Sequence, residues 1–335
     1  LSSKLRQTQV LSFSLSEWSK WKFEFLVELF DGPLRNPALL AVALKTKLFK
    51  RVLNFFSPTK RLFSELPWSY ENLLYVRAGC QAIEVLSESD VGKAYLAEHV
   101  LLKQMADLLS EEVVKLASKN SKDQFWSLDR MLKTMAREYF TLLGVFTRNE
   151  RGLSILRRYD MFKTIRALCE ESGRDDIVNL ILTSLDYEYR SECHNILEVV
   201  LGSKSAVMRY LATRHMRQLL RYGVSNFHTW GIDLVTARVV DTDAKVRGLA
   251  LEILDEAVDD EQSMGRLISA RPALGNTPGL GRALQIRFLS SKAGLKFLKE
   301  IDFIVPELEK WIQSENIAYV DQVERRLASV LNRSL

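Results

Sequence analysis

The sequence predicts an all-α protein built as a solenoid of stacked antiparallel helix pairs, and three observations carry that reading. First, Met208-Arg209-x-x-Ala212-x-x-x-Met216 recurs 38 positions later as Val246-Arg247-x-x-Ala250-x-x-x-Leu254. Each copy follows a polar start, Ser203 and Ser205 in one and Asp241 and Asp243 in the other. Apolar, basic, small and apolar residues then fall on successive helical turns, and the small one lets a neighbouring helix approach closely. A recurrence of roughly 40 residues is the period of HEAT- and armadillo-like units, which cannot bury their apolar faces alone and therefore stack. Second, 15 Gly and 7 Pro among 335 residues leave long stretches free of helix breakers. Third, no segment of useful length alternates strictly between apolar and polar, so almost no β-strand is expected.

Taken in order, Leu15, Trp18, Trp21, Phe25, Leu26 and Leu29 recur at helical spacing and predict a helix over 15–32, ended by Asp31-Gly32-Pro33. A second is expected from Pro37 to Phe56, and Ser57-Pro58 starts a short third, because Ser accepts an orphan amide and Pro fits the first turn. Tyr70 to Leu86 and Val91 to Leu109 follow, separated by Ser87-Glu88-Ser89-Asp90. The polar run 118–123 reads as a mobile connector. Helices are then expected over 124–147, 149–172, 174–186, 190–202, 205–222, 226–240, 243–258 and 261–270. Arg271 to Arg282, with two Pro and three Gly, reads as an irregular turn. Helices over 282–300, 303–314 and 316–333 close the chain. The whole of 1–335 is read as one helical-repeat domain, with sub-stacks at 1–117 and 124–335, and as a fragment of a larger protein, since it opens Leu-Ser-Ser.

A second echo supports repetition. Gly152-Leu153-x-x-Leu156-x-x-x-Asp160 returns as Gly294-Leu295-x-x-Leu298-x-x-x-Asp302, and Gly92 with Leu96 repeats its front half.

Charge and cysteine usage narrow the function classes. A net charge of +5 is mild at this length and does not by itself imply nucleic acid. Cys80, Cys169 and Cys193 are odd in number and lack CxxC spacing, which points to a reducing compartment rather than a disulfide framework. The longest nearly apolar run, Pro37 to Leu44, is too short to span a bilayer. His99, His194, His215 and His228 form no HxxxH or HExxH pair. Cys193 and His194 are adjacent, so on a helix their side chains diverge and cannot readily share a metal. No GxGxxG, GxxxxGK[ST] or GxSxG occurs, and Gly275 to Gly281 lacks the strand–turn–helix setting of a phosphate loop. No reaction centre is expected.

Two basic groups stand out. Lys47, Lys50 and Arg51 fall at i, i+3 and i+4, with Lys60 and Arg61 shortly after. Convergent cations attract a multiply charged phosphate, and Arg grips it through two donors; a solvated helix face is the plainer reading. Arg214, Arg217 and Arg221 form a stripe beside Arg209 and Lys204, suited to a protein partner or to acidic helices of the adjacent repeat. Aromatic residues are not interleaved for base stacking, so nucleic acid is not expected. The acidic residues Asp255, Glu256, Asp259, Asp260 and Glu261 read as a solvated helix end or as a contact for a basic partner.

Longer words then enter. Tyr210-Leu211-Ala212-Thr213-Arg214-His215-Met216-Arg217-x-Leu219-Leu220-Arg221, Trp230-Gly231-Ile232-x-Leu234, Ala250-Leu251-x-Ile253-Leu254-Asp255-Glu256-Ala257, Pro272-Ala273-Leu274, Arg287-Phe288-Leu289-Ser290 and Leu308-Glu309-Lys310-Trp311 occur in succession. With Ser184-Leu185-Asp186-Tyr187 upstream, and Glu17-Trp18, Leu34-Arg35-Asn36 and Phe55 to Leu62 in order before it, the chain resembles the Rictor family, the rapamycin-insensitive companions of TOR kinase, over nearly its whole length.

The resemblance implies a HEAT-like block of a large, non-catalytic subunit of TOR complex 2. Its implied partners are TOR kinase, the Sin-type subunit and kinases of the AGC group, acting in the cytoplasm and at the plasma membrane. It also implies that the positions of Lys47, Lys50 and Arg51 can hold the phosphates of a nucleotide such as ATP without hydrolysis, with inositol polyphosphate an alternative ligand. No cofactor is required. The sequence departs from the family pattern at Phe13 and Ser14, where a further Lys is expected. A Ras-type exchange role is the third reading, and no nucleotide-displacing helix pair is recognisable for it.

Overall fold

The computed structural model describes residues 1–118, 125–171, 173–275, 277, 279–315, 317, 320–321 and 324. Its regular structure among them is helical, and the one β-type contact is an isolated bridge between Pro67 and Thr134. The chain divides into two compact units, Leu1–Met208 and Arg209–Leu335.

The first unit contains α1 (Ser2–Gln7), α2 (Phe23–Asp31), α3 (Pro37–Leu44), α4 (Leu48–Phe55), α5 (Leu73–Ser87), α6 (Asp90–Glu98) and α7 (Val100–Ser118). After these come α8 (Leu128–Lys133), α9 (Tyr139–Phe146), α10 (Glu150–Arg158), α11 (Met161–Glu171), α12 (Asp175–Ser184) and α13 (Glu192–Leu201). Helices α2, α5, α9 and α12 pack in one row, while α6 pairs with α10, and α7, α11 and α13 form another row. The division between units falls inside α14 (Ala206–Tyr222) rather than at the 118–123 connector, because α7 packs on α11 across that connector. Residues 119–124 lie outside the described residues, and so does the mobile connector expected there.

The second unit continues with α15 (Phe227–Thr236), α16 (Ala244–Ala257), α17 (Glu261–Ser269), α18 (Leu280–Phe288), α19 (Lys292–Glu300) and α20 (Ile304–Lys310). Each of α15 to α18 packs on its neighbour in the chain or on the helix two further along, α15 on α17, α16 on α18 and α17 on α19. That i, i+2 stacking is the signature of an α-solenoid. The helix expected over 316–333 lies largely outside the described residues.

The repeat motif is buried as its pattern requires. Met208, Ala212, Met216, Val246, Ala250 and Leu254 are all buried in the core. The second echo has a sharper cause. Ser89, Asn149 and Ser291 cap α6, α10 and α19 by accepting from the amides of Gly92, Gly152 and Gly294 at 3.1, 2.9 and 3.0 Å. At each glycine a Cβ would fall 2.1 to 2.2 Å from the carbonyl oxygen of Leu86, Phe146 or Phe288 at the end of the preceding helix. Only a residue without a Cβ allows this approach. Gly92, whose sequence repeats only the front half of the echo, makes the same corner.

Several expected helices are broken. The 15–32 helix is a 3₁₀ segment Leu15–Lys20 followed by α2. The one expected over 37–56 is two, α3 and α4, because Thr46 accepts from the Leu48 amide at 3.2 Å and donates to the Ala43 carbonyl at 2.6 Å, closing a turn. The short helix at Ser57-Pro58 is a single 3₁₀ turn, Pro58–Lys60. His99 separates α6 from α7, and Ser291 caps a new start where 282–300 was read as continuous. Asp160 takes φ 51° between α10 and α11, and 124–147 resolves into α8, a 3₁₀ turn and α9 from 125 onward.

Candidate functional site

The break between α3 and α4 changes the first basic group. Lys47 is the N-cap of α4, with Lys50 and Arg51 one turn in. Lys47 and Lys50 are exposed. No acidic residue occupies the first turn of α4, and only the Thr46 hydroxyl, accepting from the Leu48 amide, engages its start among the described residues, so the positive end of the helix dipole adds to the three cations.

Arg51 is tied inward. Its Nη1 donates to the carbonyls of Val10 and Phe13 at 2.6 and 3.0 Å, and the Trp21 indole also donates to the Phe13 carbonyl at 3.3 Å. Arg51 therefore holds down the segment that contains Val10 and Phe13. There Lys20 lies over the Phe13 ring at 4.7 Å, although it also bonds Glu17 at 2.7 Å. Sequence reasoning passed over Lys20, because only the fold brings it to Phe13.

Lys50 also borders a shallow cavity of about 260 Å³ with Asn54, Tyr95, Glu98, His99 and Val100. Burial, with help from the Lys50 charge, pushes His99 down to about 4; its Nδ1 accepts from the Leu101 amide at 3.2 Å. Lys60 ends the following 3₁₀ turn and Arg61 is its C-cap, and Arg61 pairs with Glu65 at 3.8 Å.

The Arg214 stripe splits. Arg214 is exposed. Arg217 donates through Nε to Glu256 at 2.7 Å and through Nη1 to Glu252 at 2.9 Å. Arg221 reaches both Glu256 oxygens at 2.9 Å. Burial pushes the Glu256 carboxyl up, but bonds from Arg221 and Arg217 outweigh it and hold the group at about 2. The two arginines thus join α14 to α16.

Arg209 belongs to the same system from the buried side. It grips Asp241 through Nε and Nη2, both at 2.8 Å, and Thr242 at 3.1 Å. The Arg209 bond is the main cause that holds Asp241 below its ordinary value. Its counterpart in the second motif copy, Arg247, instead donates to the backbone carbonyls of Asp241 and Thr242 at 2.7 and 3.0 Å. Both motif arginines fasten the turn before α16.

The acidic run is taken up within the chain. Arg287 on α18 bonds Asp255 at 2.8 Å and Asp259 at 2.6 Å. Asp260 caps α17 by accepting from the Ser263 amide at 2.8 Å, while Glu261 opens that helix, exposed. The basic partners of Asp255, Glu256 and Asp259 are thus arginines of α14 and α18 in the same chain.

Cys193 is buried, and His194, also buried, accepts from the Ser191 amide through Nδ1 at 3.3 Å as part of a helix cap. Among the described residues, no group of three or more His, Cys, Asp or Glu is arranged to hold a metal ion. Nor, among them, is any helix long and apolar enough to cross a membrane.

Residues 117–220 match the family model of the rapamycin-insensitive companion of mTOR, middle domain, and residues 226–333 match that of its RasGEF_N domain. Protein pianissimo A of Dictyostelium discoideum is 42% identical over 344 residues, covering 99% of this chain and 30% of that protein. The target of rapamycin complex 2 subunit ste20 of Schizosaccharomyces pombe is 30% identical over 96% of this chain and 25% of its own length. The rapamycin-insensitive companion of mTOR of Homo sapiens is 30% identical over 98% of this chain and 19% of its own. The chain thus spans less than a third of the length of these curated relatives. The repeat motif lies across the junction of the two matched models, Arg209 in one and Arg247 in the other. With both models and alignments over nearly the whole of this chain agreeing, the chain belongs to the Rictor family.

Proposed function

We propose that this chain is a non-catalytic scaffold segment of TOR complex 2, holding TOR kinase and a Sin-type subunit so that AGC kinases are presented for phosphorylation, in the cytoplasm and at the plasma membrane. The observation that carries the reading is the alignment of almost the whole chain with relatives named as TOR complex 2 subunits. The stacked fold supports it, because a solenoid offers long surfaces built from rigid helix pairs. Arg214 is exposed and makes no ion pair among the described residues, while Arg217 and the equally exposed Arg221 brace the scaffold itself through Glu256. Co-precipitation of TOR kinase with the full-length protein tests this. Arg214→Glu should weaken capture by about tenfold, as expected of one interfacial charge, with helicity unchanged. Failure of the unaltered protein to capture TOR kinase would end the reading.

A second reading is a regulatory site for ATP or an inositol polyphosphate on Lys47, Lys50 and Arg51. It is supported by the three cations gathered at an N-terminus with no acid in its first turn. Since Arg51 also secures Val10 and Phe13, Lys50→Glu is the cleaner variant. Calorimetry should show phosphate-ligand binding lost in Lys50→Glu with the melting temperature unchanged, and equal affinity in both proteins would refute the site.

A further inference from the structure

In the second unit the two kinds of cation are used differently. Arg217, Arg221, Arg266, Arg271, Arg282 and Arg287 each hold a carboxylate. Lys292, Lys296 and Lys299 of α19 are all exposed and make no ion pair among the described residues. Their i, i+4 and i+7 spacing puts the three within an arc of ~60°, at ~100° per residue. The single acid of α19, Glu300, is taken by Arg271 at 2.8 Å. No acid stands in the first turn either, so the positive end of the helix adds to the same sign.

The opposite side of the helix fixes where this arc points. Gly294, Phe297 and Leu298 are buried, and the Ser291 cap on the Gly294 amide locks α19 against the end of α18. The lysines therefore stand on the ridge turned away from the core. Leu295, 38% exposed, stands among them. An exposed Leu alone is ordinary, but here it is set amid like charges that no described residue neutralises. The solvated pairing seen between Arg266 of α17 and Asp233 of α15 is missing from this ridge.

We infer that the outer face of α19 rests on an anionic lipid surface, with its three lysines among the headgroups and Leu295 entering the acyl boundary. Shape and donor type favour a bilayer over an acidic polypeptide. The convex face of one helix meets a plane and gives no groove to enclose a chain. This protein grips its own carboxylates with the two-donor fork of Arg, whereas Lys is a point charge on a flexible stem and suits a diffuse field. An apolar side chain set among lysines is the composition of an interfacial helix. The inference rests on the plasma-membrane part of the scaffold reading and supplies it with a surface.

The test is co-sedimentation of the chain with phosphatidylcholine vesicles made with and without phosphatidylserine. Binding should require phosphatidylserine and weaken as salt is raised. Replacing Lys292, Lys296 and Lys299 together by Gln should lower the partition coefficient about a hundredfold, at about fivefold per lysine, with the melting temperature unchanged. Leu295→Ser, which leaves every charge in place, should lower it about fivefold. Lys47→Gln with Lys50→Gln, in the other basic group, should bind as the unaltered chain does. The inference is overturned if the chain ignores phosphatidylserine, if the triple variant or Leu295→Ser binds unchanged, or if the Lys47 and Lys50 variant loses as much as the triple one. Complete displacement of the chain from the vesicles by soluble polyglutamate would reassign the face to an acidic polypeptide. Vesicle binding needs no TOR kinase, so it can fail while kinase capture holds, and the reverse.

Discussion

The two units tie their helices together by different means. In the first, aromatic rings do it: Phe55 of α4 has Trp18, Trp21, Phe23, Phe56, Phe63 and Tyr75 around it at 5.0 to 6.3 Å. The Tyr139 hydroxyl then donates to the Phe56 carbonyl at 2.8 Å, linking α9 to the same cluster. Its inter-helix ion pairs are peripheral, as in Arg151 with Asp90, whose side chain is 85% exposed. In the second unit three of the carboxylates held by Arg go inside. The carboxylates of Asp241, Glu256 and Glu307, each held by Arg, are 2%, 9% and 4% exposed. Ring packing gains by excluding water and is indifferent to pH. A buried carboxylate depends on its guanidinium, because losing the partner strands a charge.

That contrast can be broken from either side. The largest effect is expected at Phe55: Phe55→Ala should cost about 3–5 kcal/mol and lower the urea midpoint without altering its response to pH. Next comes Glu256→Gln, which keeps the shape and removes the charge, at a cost of about 1.5–3 kcal/mol for the charged hydrogen bonds. The folded Glu256 carboxyl sits at about 2, below its ordinary 4.5. Its contribution is therefore complete above about 4.5 and drains away as pH falls toward about 2, while both arginines stay protonated. Acid titration followed by circular dichroism should show a shallower slope in Glu256→Gln over that window. An identical slope would mean that the clamp does not hold α14 to α16. The smallest change is expected for Arg151→Ala, under about 1 kcal/mol, since its pair is solvated. A loss as large as that of Glu256→Gln would erase the distinction between surface and buried pairs.

The helical class and the stacking were legible because burial follows the 3.6-residue period and the motif at Met208 and Val246 repeats it. The interruptions were less so. Asp160, Asn226 and Asp302 adopt φ of 51°, 56° and 52°, and none is Gly, so turns that glycine would have announced were read as continuous helix or placed loosely. Thr46 closes a turn with its own hydroxyl, a device that composition does not reveal. At the basic groups, the sequence identified the cations but not their commitments. Which arginine faces water and which faces a carboxylate some 35 residues away depends on how helices stack, and that spacing carries no local signal. The acidic run from Asp255 was visible, whereas its partners Arg217, Arg221 and Arg287 became partners only in three dimensions.

The corners at Gly92, Gly152 and Gly294 are each complete within a span from the carbonyl six residues before the glycine to the amide it offers its cap. Nothing in that span depends on how long the intervening helices are. Whole hairpins can therefore be inserted or removed between corners during divergence while every bend angle is kept, and a variant of unequal length would still superimpose corner by corner.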